Sequence, residues 1–396
     1  MKIMIDSEPL LSEQLTGIGY NQADTVKAYA RLFTEDELIF SGFALRGRAE
    51  KRARIGKYAD ACADGKGRVR LFPLLSSGMY RLAWGLCMLP IPYRLFFGGA
   101  DVTHFFNFLI PPFVKGKKVC TVHDLAFRAY PETVAKRTRM LLSRQLGRTL
   151  KRADSVVVVS EFTKRELIKY YPEVDPERIY VVYNGVDLGF FYPREFTAHS
   201  EEILGAYGLE KGKYFFYLGT IEPRKNLARA IEGYAIALKR AREKGEELPP
   251  FVLGGKRGWY YDEILSKAND LGISEKVKFI GYVDRPSMVE LYSHCTAFVF
   301  PSLYEGFGIP VAEAMACGAT VITADAASLP EVGGDAAIYC DPLSAESVST
   351  AFEKAYFDTE LVKKCSALGP SQAAKFTWEK AARELKRVYS ETVSRK

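Results

Sequence analysis

The run Glu305-Gly306-Phe307-Gly308-Ile309-Pro310-Val311-Ala312-Glu313 carries the densest chemistry in the sequence. It follows an apolar stretch, Ala297 to Pro301, that reads as a strand, and leads into a helix expected from Ile309 to Cys317. Gly306 and Gly308 let the backbone approach a ligand closely. A helix start adds N–H groups and the positive end of a dipole, and together these suit a diphosphate. Pro310 fits the first helical turn, where its missing N–H would have no partner anyway. Glu313 is expected in that first turn and Glu305 on the loop before it. Two carboxylates beside an anion site would repel bare phosphate, so they are better suited to accept hydrogen bonds from neutral hydroxyls, such as those of a sugar and a ribose. A structural turn with acids at a helix start would use the same residues, so other positions must decide.

Three further groups lie where strands are expected to end. Gly219-Thr220-Ile221-Glu222-Pro223-Arg224-Lys225-Asn226-Leu227 places Arg224 and Lys225 before a helix expected from Asn226 to Glu243. Arginine offers a fork and lysine a point charge to phosphate oxygens, and cations at a helix start oppose its dipole, a cost that favours a functional role. In Thr16-Gly17-Ile18-Gly19-Tyr20, Gly17 and Gly19 follow the first expected strand and let the backbone reach a ligand. The dinucleotide fingerprint needs a third glycine, and position 22 is Gln, which argues against an NAD enzyme. Thr121-Val122-His123-Asp124-Leu125 puts an imidazole and a carboxylate at another strand end, and His104 in Thr103-His104-Phe105-Phe106-Asn107 is a weaker candidate. No two Asp are separated by one residue, and no ligand cluster replaces that metal motif, so neither metal nor cofactor is expected.

Glu305 and Glu313 enclose seven residues, as in the Glu-x7-Glu motif, and with the other motifs the chain resembles the family 4 retaining glycosyltransferases of GT-B fold. The resemblance implies that Glu305 and the Gly306-Phe307-Gly308 backbone hold the transferred sugar, with Ile309 at the helix start, and that Glu313 binds the ribose. It makes Arg224 and Lys225 the phosphate-binding pair and sets Gly17 and Gly19 near the donor phosphates. It gives His123 the place of the active-site histidine; His104 and Asp124 are weaker candidates for acceptor-side contacts. Phe279-Ile280-Gly281-Tyr282-Val283 resembles the loop whose backbone meets the nucleobase. Ser160-Glu161-Phe162-Thr163, Asn184-Gly185-Val186-Asp187 and Ser328-Leu329-Pro330-Glu331-Val332 match further family signatures. Many members place the arginine directly after the glycine, where this chain has Thr220; the Pro-Arg-Lys-Asn version resembles a bacterial mannosyltransferase-like subgroup. Retention is thereby implied through front-face attack, in which the donor phosphate helps deprotonate the acceptor, so no residue is expected as nucleophile.

The elements that must position these groups alternate along the whole chain, which reads as α/β with parallel strands. Strands are expected at Lys2 to Asp6, Leu38 to Phe43, Val69 to Phe72, Asp101 to Phe105, Lys118 to His123, Ser155 to Ser160 and Arg178 to Tyr183. Helices are expected at Gly19 to Leu32, Tyr80 to Met88, Val134 to Arg152 and Glu161 to Tyr170. Periodicity lapses from Asn184 to Lys213 and restarts with strands Tyr214 to Gly219, Phe251 to Gly254, Val277 to Ile280, Ala297 to Pro301 and Thr320 to Ala324, after which helices run to the end. In this half, helices are also expected at Tyr260 to Leu271 and Pro286 to His294. The expected architecture is two Rossmann-like domains facing each other across a cleft: 1–195 for the acceptor, 196–375 for the nucleotide sugar, and a helix at 376–396 returning to the first domain.

Bulk composition agrees. At 396 residues the chain exceeds a single core, and 48% hydrophobic with 26% charged residues is ordinary for a globular protein. Seven scattered cysteines without a CxxC pair suit a reducing cytosol. Neither a signal peptide nor a membrane span is expected, since the run Leu82 to Tyr93 is too short and holds two prolines. Residues 1–195 hold 30 Lys/Arg against 21 Asp/Glu, a net +9, whereas the remainder is −2. The basic first half prefers an anionic partner, and Val134 to Arg152 reads equally as a core helix or as a peripheral helix on an anionic membrane. A nucleic-acid protein would show interleaved aromatics and is disfavoured. A phosphorylase would need a pyridoxal lysine motif, and none is found. The expected partners are a nucleotide-sugar donor, GDP-mannose favoured over a UDP- or dTDP-sugar, and a glycan or lipid-linked acceptor.

Overall fold

The computed structural model describes residues 1–86, 89, 91–258 and 261–395; Cys87 and the expected helical residues Met88 and Tyr260 lie outside them. The chain divides into two compact units, 1–185 with 378–396, and 186–377.

The first unit holds β1 (Lys2–Asp6), β2 (Glu37–Phe43), β3 (Gly67–Phe72), β4 (Gly99–Phe105), β5 (Lys115–Val122), β6 (Ser155–Val158) and β7 (Ile179–Val181). They pair in parallel in the order β3-β2-β1-β4-β5-β6-β7. The second unit repeats this plan with β8 (Phe215–Leu218), β9 (Phe251–Gly254), β10 (Val277–Gly281), β11 (Ala297–Phe300), β12 (Val321–Ala324) and β13 (Ala337–Cys340), in the order β10-β9-β8-β11-β12-β13. Both orders are those of doubly wound sheets, and strand order reverses at β1/β4 and at β8/β11. Ligands bind outside the carboxyl ends of strands at such reversals. Central strands such as Ser155–Val158 and Phe215–Leu218 are buried throughout, as strands covered on both faces must be. The edge strand β13 was not expected from the sequence.

Five helices matter below: α1 (Gly17–Leu32), α2 (Lys136–Arg152), α3 (Leu227–Glu243), α4 (Ile309–Ala316) and α5 (Trp378–Ser394). α1 begins at Gly17, two residues before the expected start. The helix expected over Tyr80 to Met88 is instead an α-turn, Ser77–Arg81, that widens into a π-helix at Leu82–Leu86. α5 buries Trp378, Ala381, Ala382, Leu385, Val388 and Tyr389 in the core of the first unit, where it packs on α1. Each of the larger side chains contributes roughly 1.5–3 kcal/mol by burial. Polar contacts fix its register: Lys386 pairs with Asp36 at 2.6 Å, and Thr392 meets Ser155 at 2.7 Å.

This packing corrects the expectation for His104. The ring is fully buried on β4, with Nδ1 2.7 Å from the Tyr389 hydroxyl and Nε2 2.8 Å from Thr121 Oγ1. Burial pushes its pKa down to about 3, so it is a neutral core residue and meets no acceptor.

Candidate functional site

In the second unit, two loops leave the carboxyl ends of β8 and β11 on either side of the strand reversal. The first runs to a 3-10 turn, Pro223–Lys225, and then to Asn226, whose φ of 61° is tolerated better by asparagine than by most residues. Asn226 Nδ2 donates to the carbonyls of Pro301 (3.1 Å) and Pro342 (2.7 Å), and the Leu303 N–H donates to the Arg224 carbonyl (3.0 Å), so the loops are tied together. The basic pair therefore precedes α3 on its own tight turn. In the second loop Gly308 has φ 105° and starts α4; a Cβ there would lie 2.7 Å from Leu329. Ser328 Oγ closes the loop from below, 2.9 Å from the carbonyls of both Glu305 and Phe307.

These loops bring together four charged side chains. Glu305 accepts from Lys225 Nζ at 2.5 Å through Oε1 and pairs with Arg224 Nη1 at 2.8 Å through Oε2. Arg224 Nη2 reaches Glu222 at 2.8 Å, and Nη1 also donates to the Tyr304 carbonyl at 2.7 Å. Glu222, Lys225 and Glu305 are buried. Burial pushes the Glu305 carboxyl up, but the Arg224 and Lys225 charges outweigh it and hold it at about 2. Burial and the Arg224 charge lower Lys225, opposed by Glu305. Two cations and two anions make the cluster neutral as it stands. An incoming diphosphate would compete with Glu305 for the same donors.

Other expected donor-side residues fall around this cluster with different exposures. Glu313 is half-buried and sits in the second turn of α4, since the first turn holds no acid. Burial first, and the Glu313 carboxylate second, hold the Tyr292 phenol protonated. Phe307 turns its ring into the core against Phe376 (centroids 5.2 Å apart), so only its backbone could meet a ligand. Tyr282 is 62% exposed, whereas Val283 is buried and its side chain packs against Gly254. A larger open groove, lined by Ala235, Leu238 and Ile273, lies at the far end of α3 from this chemistry.

In the first unit, Gly17 opens α1 with nothing within 4 Å of a would-be Cβ, but at Gly19 a Cβ would meet the Pro9 carbonyl at 3.0 Å. Gly17 leaves the helix start open, and Gly19 serves packing. His123, half-buried after β5, donates from Nε2 to the Phe106 carbonyl at 2.7 Å, which leaves Nδ1 as an acceptor. Burial lowers its pKa, so it is neutral near pH 7. Asp124 Oδ1 accepts from the Ala126 N–H at 3.0 Å, a local turn. Sequence reasoning missed Glu222, Asn226 and Ser328 as partners of the cluster; each sits in a quoted motif or directly at a loop end. Among the described residues, no group of three or more His, Cys, Asp or Glu is placed to hold a metal, and no helix is long and apolar enough to cross a membrane.

Known proteins resemble the chain in sequence and in fold. Residues 200–372 match the family model "Glycosyl transferases group 1", and residues 44–190 match "Glycosyltransferase Family 4". The chain is 31% identical over 391 residues to the O-antigen chain mannosyltransferase B of Escherichia coli, covering 96% of this chain and 97% of that protein. It is 30% identical over 235 residues to the O-antigen chain mannosyltransferase RfbU of Salmonella typhimurium, 59% of each chain. Among solved structures, Anabaena HepE in complex with UDP and glucose superposes with a TM-score of 0.74 at 17% identity, over 99% of this chain and 100% of that one.

Proposed function

The chain belongs to the family 4 glycosyltransferases of GT-B fold, and from that premise we propose that it transfers mannose from GDP-mannose, with retention, to a glycan or lipid-linked glycan. The full-length identity to an O-antigen chain mannosyltransferase carries this reading. In it, the diphosphate displaces Glu305 from Arg224 and Lys225, whose charges then stabilise the departing nucleoside diphosphate. Glu305, released, accepts from hydroxyls of the mannosyl group. Gly306 to Ile309 line the sugar and phosphates, Glu313 takes the ribose hydroxyls, and the backbone of Tyr282 and Val283 meets the base. In the first unit, Gly17 backs the phosphates, and the neutral His123 offers Nδ1 to a donor hydroxyl. Asp124 is the weaker acceptor-side contact. The donor phosphate takes the acceptor proton, and no protein nucleophile is invoked.

The working location is the cytoplasmic side, at the inner face of the membrane. Leu74, Met79, Leu82, Leu95, Phe113 and Met140 expose large apolar surface in the first unit, and the outer face of α2 carries Arg137, Arg144, Arg148 and Lys151. Apolar side chains beside a cationic stripe suit an anionic bilayer surface. Flotation with phosphatidylglycerol vesicles is the check: the chain rises with anionic vesicles and stays down with neutral ones. For the reaction, a panel of GDP-mannose, UDP-glucose and dTDP-glucose is followed for nucleoside diphosphate release. GDP release from GDP-mannose is expected, and an inert GDP-mannose beside a turned-over UDP-sugar would overturn the donor.

A further inference from the structure

Glu313 is half-buried in the second turn of α4, and the side chain behind it comes from another helix, Arg285–His294, which packs on α4. Glu313 and Cys317 are four residues apart and so share one face of α4. Tyr292 and Ser293 meet that face. The Ser293 hydroxyl hydrogen-bonds with the Cys317 thiol, and the Tyr292 phenol lies within hydrogen-bonding reach of the Glu313 carboxylate.

The Tyr292 ring is fully buried and packs edge-on against Phe298 (centroids 5.1 Å apart) and Phe216 (5.7 Å). Those rings belong to β11 and β8, the two strands whose loops carry the charged cluster. The phenol is thereby fixed to the sheet, whereas a glutamate side chain keeps several torsions. Yet the Tyr292 hydroxyl, shut off from solvent, makes no hydrogen bond of good geometry. A buried hydroxyl left in that condition is costly and calls for a partner. Burial, and after it the Glu313 charge, push the phenol well above its ordinary value, so it stays protonated and can donate.

We propose that Tyr292 is a positioning residue for the nucleotide ribose: its hydroxyl donates to one edge of the Glu313 carboxylate and turns the other edge toward the ribose hydroxyls. The assignment deepens, and rests on, the reading that Glu313 takes those hydroxyls. A carboxylate offers about four lone-pair sites, enough for a ribose diol outside and a phenol inside. A diol held by the outer edge brings the inner edge onto the phenol, so one orientation of Glu313 satisfies both. Tyr292 is closed off from any ligand and acts through Glu313.

The test is calorimetric titration of the full chain with GDP and with 2′,3′-dideoxy-GDP, which lacks the ribose hydroxyls. The corresponding UDP pair is run beside it, since the ribose is common to both nucleotides. Wild type is expected to prefer the ribose form about tenfold or more, and Glu313→Gln to lose that preference. Tyr292→Phe, which keeps every ring contact, should weaken the ribose form about fivefold to tenfold and leave the dideoxy probe unchanged. In the Glu313→Gln background the same substitution should change neither probe. Equal loss on both probes, or an unchanged preference, in Tyr292→Phe overturns the positioning role while the ribose reading stands. Binding of neither diphosphate by wild type, no preference in wild type, or a preference kept by Glu313→Gln removes the ribose reading and the positioning role with it. Thermal melts identify a variant that does not fold. If Tyr292→Phe is that variant, wild type labelled with carbon-13 at tyrosine Cζ decides. The tyrosine signal displaced by Glu313→Gln is expected to shift with the ribose form and not with the dideoxy probe, and a signal that moves with neither overturns the proposal.

Discussion

Asp6 closes β1 and Glu305 follows β11, each where its sheet reverses strand order, yet their carboxyls sit in opposite electrostatic surroundings. Glu305 is clamped by Arg224 and Lys225 and held at about 2, whereas burial pushes Asp6 up to about 6 against the opposing charge of Arg81, which also pairs with Glu8. The same fold position thus holds a carboxyl in two different electrostatic settings. One sheet end holds its carboxylate between two cations. The other holds a carboxyl buried among aromatic rings beside Arg81.

The largest expected effect is on stability. Glu305→Ala leaves Lys225 buried beside Arg224 without its counter-ion and should cost about 3–5 kcal/mol in thermal or denaturant unfolding of the second unit. Asp6→Asn should cost less than about 1 kcal/mol at pH 8, or raise stability, because it removes a desolvated charge. Equal losses from the two substitutions would erase the contrast.

The pH dependence sharpens it further. Glu305 has a folded pKa below its ordinary 4.5, so its contribution is present above 4.5 and is lost as pH falls toward 2. Asp6 has a folded pKa above its ordinary 3.8, so its contribution is present below 3.8 and is lost as pH rises through 6. Unfolding measured from pH 3 to pH 8 should therefore lose its acid-side slope in Glu305→Gln and its slope between about pH 4 and 6 in Asp6→Asn. Slopes unchanged in both variants would contradict the assigned environments.

Ser328→Ala gives the smallest effect. It removes the hydroxyl that ties the Glu305 and Phe307 carbonyls, so a loss of about 1 kcal/mol and a several-fold rise in donor KM are expected, with little change in kcat. Steady-state kinetics check it.

The alternation of strands and helices was legible because parallel strands covered on both faces are continuous apolar runs, as in Val156-Val157-Val158. β13 was not, because Ala337–Cys340 is four residues long and half of it is only partly buried at the sheet edge. Motif spacing located Arg224, Lys225 and Glu305 separately; that they form one ion cluster depends on a contact 80 residues apart in sequence. His104 could not be told from a ligand-facing histidine, because the partner that seals it, Tyr389, lies 285 residues further on. Glu313 was set one turn too early because the helix start was read without the turn that Gly308 makes. Asp6 and Trp84 carried no motif at all, and only the return of the Ser77–Leu86 segment over β1 brings them together.

The most direct test of the central claim is calorimetric titration of GDP into wild type and into Arg224→Ala. The exchange of Glu305 for a diphosphate predicts GDP binding in wild type and a loss of about tenfold to a hundredfold in the variant. Equal GDP affinity in the two proteins would contradict it.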